Sequence, residues 1–299
     1  MALDLFVRDD VRRLQAPKSR NITTSLRLIN VCGHLLLLFL AALPALAANA
    51  PRESVPLTTW RFVEDFNTNS ASPQPPESTE WQQVSVPHVF RQSGLADNTA
   101  GWYRQTITLS QADADRRVYL MLEGAASVKD IFVNGEHIGQ HKGAFSACAF
   151  DLTPALKIGP TNILDVRVSN RDTEARNCFS RSGLYYVNGG MFRKAWLVNM
   201  GPVHIFPEMG SSGVYLTPSR ITSSSAEINA RTVVRNPLSS PVKIVVRHFI
   251  IAPDKTSTAP FETRQTVPAG QTVTVDANGI ITRPQTLGPR KTKPLHRPH

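Results

Sequence analysis

The chain has little of what small or membrane-bound proteins depend on. Only 3 of its 299 residues are cysteine, too few for a dense disulfide framework. A chain of this length buries roughly three quarters of its unfolded surface and needs neither staple nor metal. The longest uncharged apolar run, Leu35–Ala47, has 13 residues, short of the roughly 20 that span a bilayer as a helix. No apolar run of helical period occurs beyond the N-terminal region, which excludes a helical bundle and helical crossovers. Nucleophile elbow, phosphate loop and His-Glu-x-x-His motifs are all absent. The net charge of +10 suggests a nucleic-acid partner until it is located. Residues 1–34 carry net +3 and residues 283–299 net +5, leaving +2 for 35–282. A nearly neutral body offers no footprint for a phosphate backbone.

What remains is alternation and turns. The 22 prolines and 17 glycines are spread among short Thr- and Val-rich runs. Examples are Thr58–Asp65, Trp81–Phe90, Gly101–Leu109, Arg117–Gly124 and Ile163–Asn170. Short strands without crossovers predict an all-β antiparallel sandwich. The strongest local signal is Asn134-Gly135 after Ile131-Phe-Val133. A two-residue type I′ turn needs positive φ at both central positions, which Asn-Gly tolerates. Four further strands are expected after Val203: Val214–Thr217, Ala226–Arg235, Val242–Ile250 and Gln271–Asp276. Asn236-Pro237 marks a turn between two of them.

The N-terminal region reads as a secretory signal over 1–47, with Leu35–Ala47 as its apolar core and Ala45-Leu46-Ala47 as the cleavage site. A buried helix or a membrane anchor is the alternative. On the first reading the protein is exported, periplasmic or secreted, with no membrane attachment after cleavage. Residues 48–56 are expected to be a linker. The segment 283–299, basic and proline-rich, reads either as an irregular tail or as the product of a frameshifted or prematurely ended gene.

In order, Val86-Pro-His88, Gly101-Trp-Tyr-Arg104, Leu122-Glu-Gly124, Phe132-Val-Asn-Gly135, Phe150-Asp-Leu-Thr153, Val168-Ser-Asn170 and Gly189-Gly-Met-Phe-Arg193 resemble the sugar-binding domain of family 2 glycoside hydrolases, the β-galactosidase and β-glucuronidase group. The resemblance implies a galactose-binding-like jelly roll over 57–205. A partial immunoglobulin-like sandwich follows over 206–282. It implies a carbohydrate partner, a β-galactoside or related glycoside, and no cofactor. In the family the two catalytic Glu residues sit on a (β/α)₈ barrel after these domains, and such a barrel takes about 250 residues. The resemblance therefore makes this chain the non-catalytic N-terminal portion, with no catalytic residue of its own and the barrel as its missing partner. A stand-alone carbohydrate-binding protein is the alternative.

Candidate sugar-contacting residues precede the glycine pair: Tyr185, Tyr186 and Asn188, since aromatic faces and amides hold pyranose rings. Where the galactosidase branch places an Asp in this loop, the matching position here is Leu184. Glu64, Asp65, Asp172 and Glu174 are expected to be solvated. His137 and His141 are four apart in a strand or turn, which does not bring them to one side as a helix would, so no metal site is expected. Cys148 and Cys178 permit a disulfide in an exported chain; Cys148 also reads as a small core residue.

Overall fold

The computed structural model describes residues 11–12, 52–67, 75–77, 80–95, 98–175, 188–251, 258, 260–282 and 284. The apolar run Leu35–Ala47 and nearly all of 283–299 lie outside them. The strands are, in chain order, β1 (Val11–Arg12), β2 (Glu53–Pro56), β3 (Thr59–Glu64), β4 (Gln82–Ser85), β5 (Ala100–Thr108) and β6 (Arg117–Leu122). Then come β7 (Val128–Val133), β8 (Glu136–Lys142), β9 (Cys148–Asp151), β10 (Thr161–Ser169), β11 (Ala195–Met200) and β12 (His204–Ile205). Last are β13 (Val214–Ile221), β14 (Ser225–Arg235), β15 (Val242–His248), β16 (Phe261–Val267) and β17 (Thr272–Thr282). Helical structure among the described residues is limited to short 3₁₀ turns.

The first sandwich faces a six-stranded sheet, ordered β4-β3-β5-β10-β7-β8, against a four-stranded one, β2-β11-β6-β9. Alternate residues meet in between: Trp60 and Phe62 of β3, Tyr103 and Ile107 of β5, Ile131 and Val133 of β7, and Leu164, Val166 and Val168 of β10 pack on Val118, Leu120 and Leu122 of β6. The β7–β8 turn is the one expected, with φ of 52° at Asn134 and 84° at Gly135. The Asn134 side chain also donates to the Ala155 carbonyl and to Asn162 Oδ1 at 2.9 Å each, and accepts from the Ile163 amide at 3.0 Å. One side chain thus serves the hairpin and the neighbouring strand, which a turn residue chosen for φ alone would not do.

The second sandwich sets β12, β13 and β17 around β14. That sheet packs on β15 and β16 through Val234, Val242, Ile244, Val246, Val267 and Val275. Val11–Arg12 pairs with the outer edge of β15. Two expectations change. Residues 53–56, assigned to a linker, form β2 and pair with β11. The second sandwich also has strands that sequence alternation did not reveal, β12 and β16. Phe261–Val267 contains Glu262, Arg264 and Gln265, and its partly exposed position hides the apolar rhythm.

Candidate functional site

One end of the first sandwich is built from loops that the landmark residues lace together. The His88 amide donates to Met191 O at 2.7 Å and the Phe90 amide to Gly189 O at 2.9 Å, while Ala126 and Gly190 exchange backbone bonds. Thr99 donates its amide to Asn170 Oδ1 at 2.9 Å. The glycine pair is required by close approach. A Cβ on Gly189 would lie 2.2 Å from the Phe90 ring and 2.9 Å from Asn170 Cγ. Gly190 has φ of +117°, and its Cβ would meet His88 O at 2.6 Å. Asn188 is exposed directly before this pair. Tyr185, Tyr186 and Cys178 lie outside the described residues.

Beneath the loops, His88 is buried, with Nδ1 2.7 Å from Tyr103 Oη and Nε2 3.0 Å from Ser93 Oγ. Burial lowers its pKa and raises that of Tyr103. Burial likewise lowers His204, bonded to Tyr119 Oη at 3.1 Å at the junction with the second sandwich, and His248, bonded to Thr232 in that sandwich. The neutral forms are native, so at neutral pH these groups bind no extra proton in either state. Below about pH 6.5 the unfolded chain takes protons that the folded chain refuses. Stability should therefore fall from pH 7.5 to 5.5, by up to about 1.4 kcal/mol per pH unit for each histidine. Urea midpoints measured across that interval check this; a flat profile would rule it out.

Phe145, together with the landmark residues Phe192 and Arg193, forms an exposed ledge. Phe145 is 60% exposed. Its ring meets Phe192 edge-on at 5.8 Å. The Arg193 guanidinium lies 5.9 Å from the Phe192 centroid and donates to Phe145 O at 3.4 Å. Lys129 fastens the ledge from below. Its alternation places it with Ile131 and Val133 on the core side, and its buried ammonium donates to Ala125 O at 3.0 Å and to Gly143 O. The β6–β7 connection and the loop carrying Phe145 are thereby tied together. Two aromatic faces beside a guanidinium offer stacking and hydrogen-bond donation, the means by which sugars are held. A defined Trp, Phe or Arg elsewhere in the sequence looks the same, so only the position of Phe145 and Phe192 outside the alternating core rhythm could have flagged them.

The carboxylates are not as expected. Asp65 is buried and Glu174 nearly so. Both bind Arg167, itself 2% exposed: Nε to Asp65 Oδ2 at 2.7 Å, Nη1 and Nη2 to Glu174 at 2.6 and 2.9 Å. Asp130 Oδ2 stands 3.8 Å from Nη1. Burial alone would raise the Glu174 pKa, but hydrogen bonds and charge from Arg167, with the charge of Arg171, bring it below the usual carboxylate range. Glu64 is half-buried, and of the four only Asp172 is exposed. A carboxyl held ionised in an ion pair is a poor proton donor. No group of His, Cys, Asp and Glu suited to a metal occurs among the described residues. Cys148 is a buried free thiol whose pKa burial pushes up to about 11.

A family profile described as the glycosyl hydrolase 2 galactose-binding domain-like matches residues 91–199. A β-glucuronidase of Formosa agariphila is 27% identical over 256 residues, covering 76% of this chain and 25% of its own. A β-galactosidase of Bacteroides ovatus is 28% identical over 201 residues, covering 62% and 22%. Among solved structures, a Bacteroides uniformis β-glucuronidase superposes with a TM-score of 0.69 at 25% identity, covering 79% of this chain and 28% of that one. The chain spans about a quarter of the length of the relatives it matches. Residues 91–199 thus resemble the galactose-binding-like domain of the glycosyl hydrolase 2 family, and the β-glucuronidases and β-galactosidases the chain is similar to are matched over only part of their length.

Proposed function

We propose that this chain serves as the non-catalytic N-terminal portion of an exported family 2 glycoside hydrolase, its loop end forming part of the wall of a β-galactoside or related β-glycoside site. The observation that carries the reading is the loop end itself. Asn188 and the Phe145–Phe192–Arg193 ledge face outward on a laced base, in a domain of the kind its glycosidase relatives carry. Retaining hydrolysis needs two carboxyl groups about 5–5.5 Å apart, one of them able to donate a proton. Here Asp65 and Glu174 are both committed to Arg167. Export is supported by the apolar run Leu35–Ala47, which ends in Ala45-Leu46-Ala47.

The 299-residue chain should not turn over a nitrophenyl β-galactoside. Turnover that Glu174→Gln abolishes would overturn the non-catalytic reading. Titration with a β-galactoside tests the wall: Phe192→Ala and Asn188→Ala should each weaken binding several-fold, and unchanged affinity in both would remove the loop end from sugar contact. Tight, specific binding by the chain alone would favour the stand-alone carbohydrate-binding reading, which the exposed ledge supports.

A further inference from the structure

The outer face of the six-stranded sheet, turned away from the core, carries an arrangement that the loop-end reading does not use. Strand registers set Gln83, Arg61, Arg104 and Asp165 in one row across β4, β3, β5 and β10. Arg61 and Arg104 are direct cross-strand partners, and like charges in that relation repel. Only one of them is neutralised. Asp165 takes Arg104 in a bidentate grip, Nε to Oδ1 at 2.7 Å and Nη2 to Oδ2 at 2.9 Å. Among the described residues no carboxylate forms an ion pair with Arg61, which is exposed.

Both guanidiniums lie over the ring of the half-exposed Trp81, 4.6 Å from its centroid for Arg104 and 5.7 Å for Arg61. The base under this row is firm. Trp81 packs on Val63, Trp102 and Phe132, all buried, with Trp102 and Phe132 at 5.5 Å. The Trp102 Nε1 is buried without a hydrogen-bond partner. An uncompensated guanidinium beside an indole, with the exposed Gln83 amide across from it, matches a ligand that is flat and apolar on one side and negatively charged on another. We infer that the face around Arg61, Trp81 and Gln83 binds an anionic sugar, its ring against the indole and its carboxylate or sulfate ester on Arg61. A guanidinium fork pairs with either group, and an indole accepts the C–H side of a pyranose.

The test is calorimetric titration of the full chain with D-glucuronate, glucose 6-sulfate and glucose. Either anionic sugar should bind at least tenfold more tightly than glucose, with affinity falling as salt rises. The tighter of the two identifies the charged group. Arg61→Gln, an exposed change that leaves the fold intact, should remove most of this preference, and Trp81→Ala should weaken binding at least tenfold. Equal binding of all three sugars, or native affinity in either variant, overturns the inference. Arg61 and Trp81 are not among the loop-end residues, so failure of galactoside binding at the ledge leaves this result standing.

Discussion

Replacing Arg167 with alanine should cost about 3–5 kcal/mol, the range for stripping a buried ion pair of one partner. The guanidinium is 2% exposed and Asp65 3%, so water cannot replace what is lost. Asp65 and Glu174 would keep only their longer contacts to Arg171, at 3.8 and 3.6 Å, with Asp130 close by. Denaturant midpoints at neutral pH provide the measurement, and a loss under about 1 kcal/mol would show the cluster to be ordinary surface. The exposed Arg220–Glu227 pair, at 3.2 Å with side chains 74% and 43% accessible, is the internal control: Arg220→Ala should cost less than about 1 kcal/mol. The Arg167 deficit should also depend on pH. Glu174 has a lowered native pKa, so its stabilisation is complete above its unfolded value of about 4.3 and disappears as pH falls through the native one. The gap between native and variant proteins should narrow in that acidic window.

Gly189→Ala should be nearly as damaging, at about 3 kcal/mol, the upper part of the usual range for overpacking. The added methyl would sit 2.2 Å from Phe90 Cδ2, and the ring has nowhere to go. Phe90 is 1% exposed and packs on Phe62 at 5.8 Å, and Phe62 is itself pressed against Gly101. Asn170, bonded to Thr99, blocks the remaining direction. A melting-temperature drop of about 10 °C is expected for a domain of this size. Gly270→Ala separates steric from conformational cost. Gly270 has φ of +68° but nothing within 4 Å of a Cβ, so only the left-handed penalty of about 1–2 kcal/mol applies. If Gly270→Ala proved the worse of the two, close packing at Gly189 would not be what holds the loop end together.

The elements legible in the sequence are those whose cause is local. Asn134-Gly135 turns the chain because both residues accept positive φ, and their angles of 52° and 84° follow. Ile131 and Val133 face the core because strand periodicity is two. The fold class follows from many such runs. Where a strand's environment depended on distant chain, local reading failed. Leu164-Asp-Val-Arg-Val168 reads as one buried and one wet face, yet Asp165 and Arg167 are buried on the outer side. The segment after Asn170 folds back to bring Glu174 over Arg167. Glu53–Pro56 reads as linker because no local rhythm marks it; β11 makes it a strand.

The sequence by itself therefore determined the sandwich class and the hairpin, because turn geometry and side-chain alternation act over a few residues. Tertiary structure alone decided which charges are buried and which aromatics are exposed. Arg167 and Asp65 are 102 positions apart, and Phe145 meets Phe192 across loops from different parts of the chain. Burial and charge pairing are properties of residues brought together, and no window of sequence contains both partners.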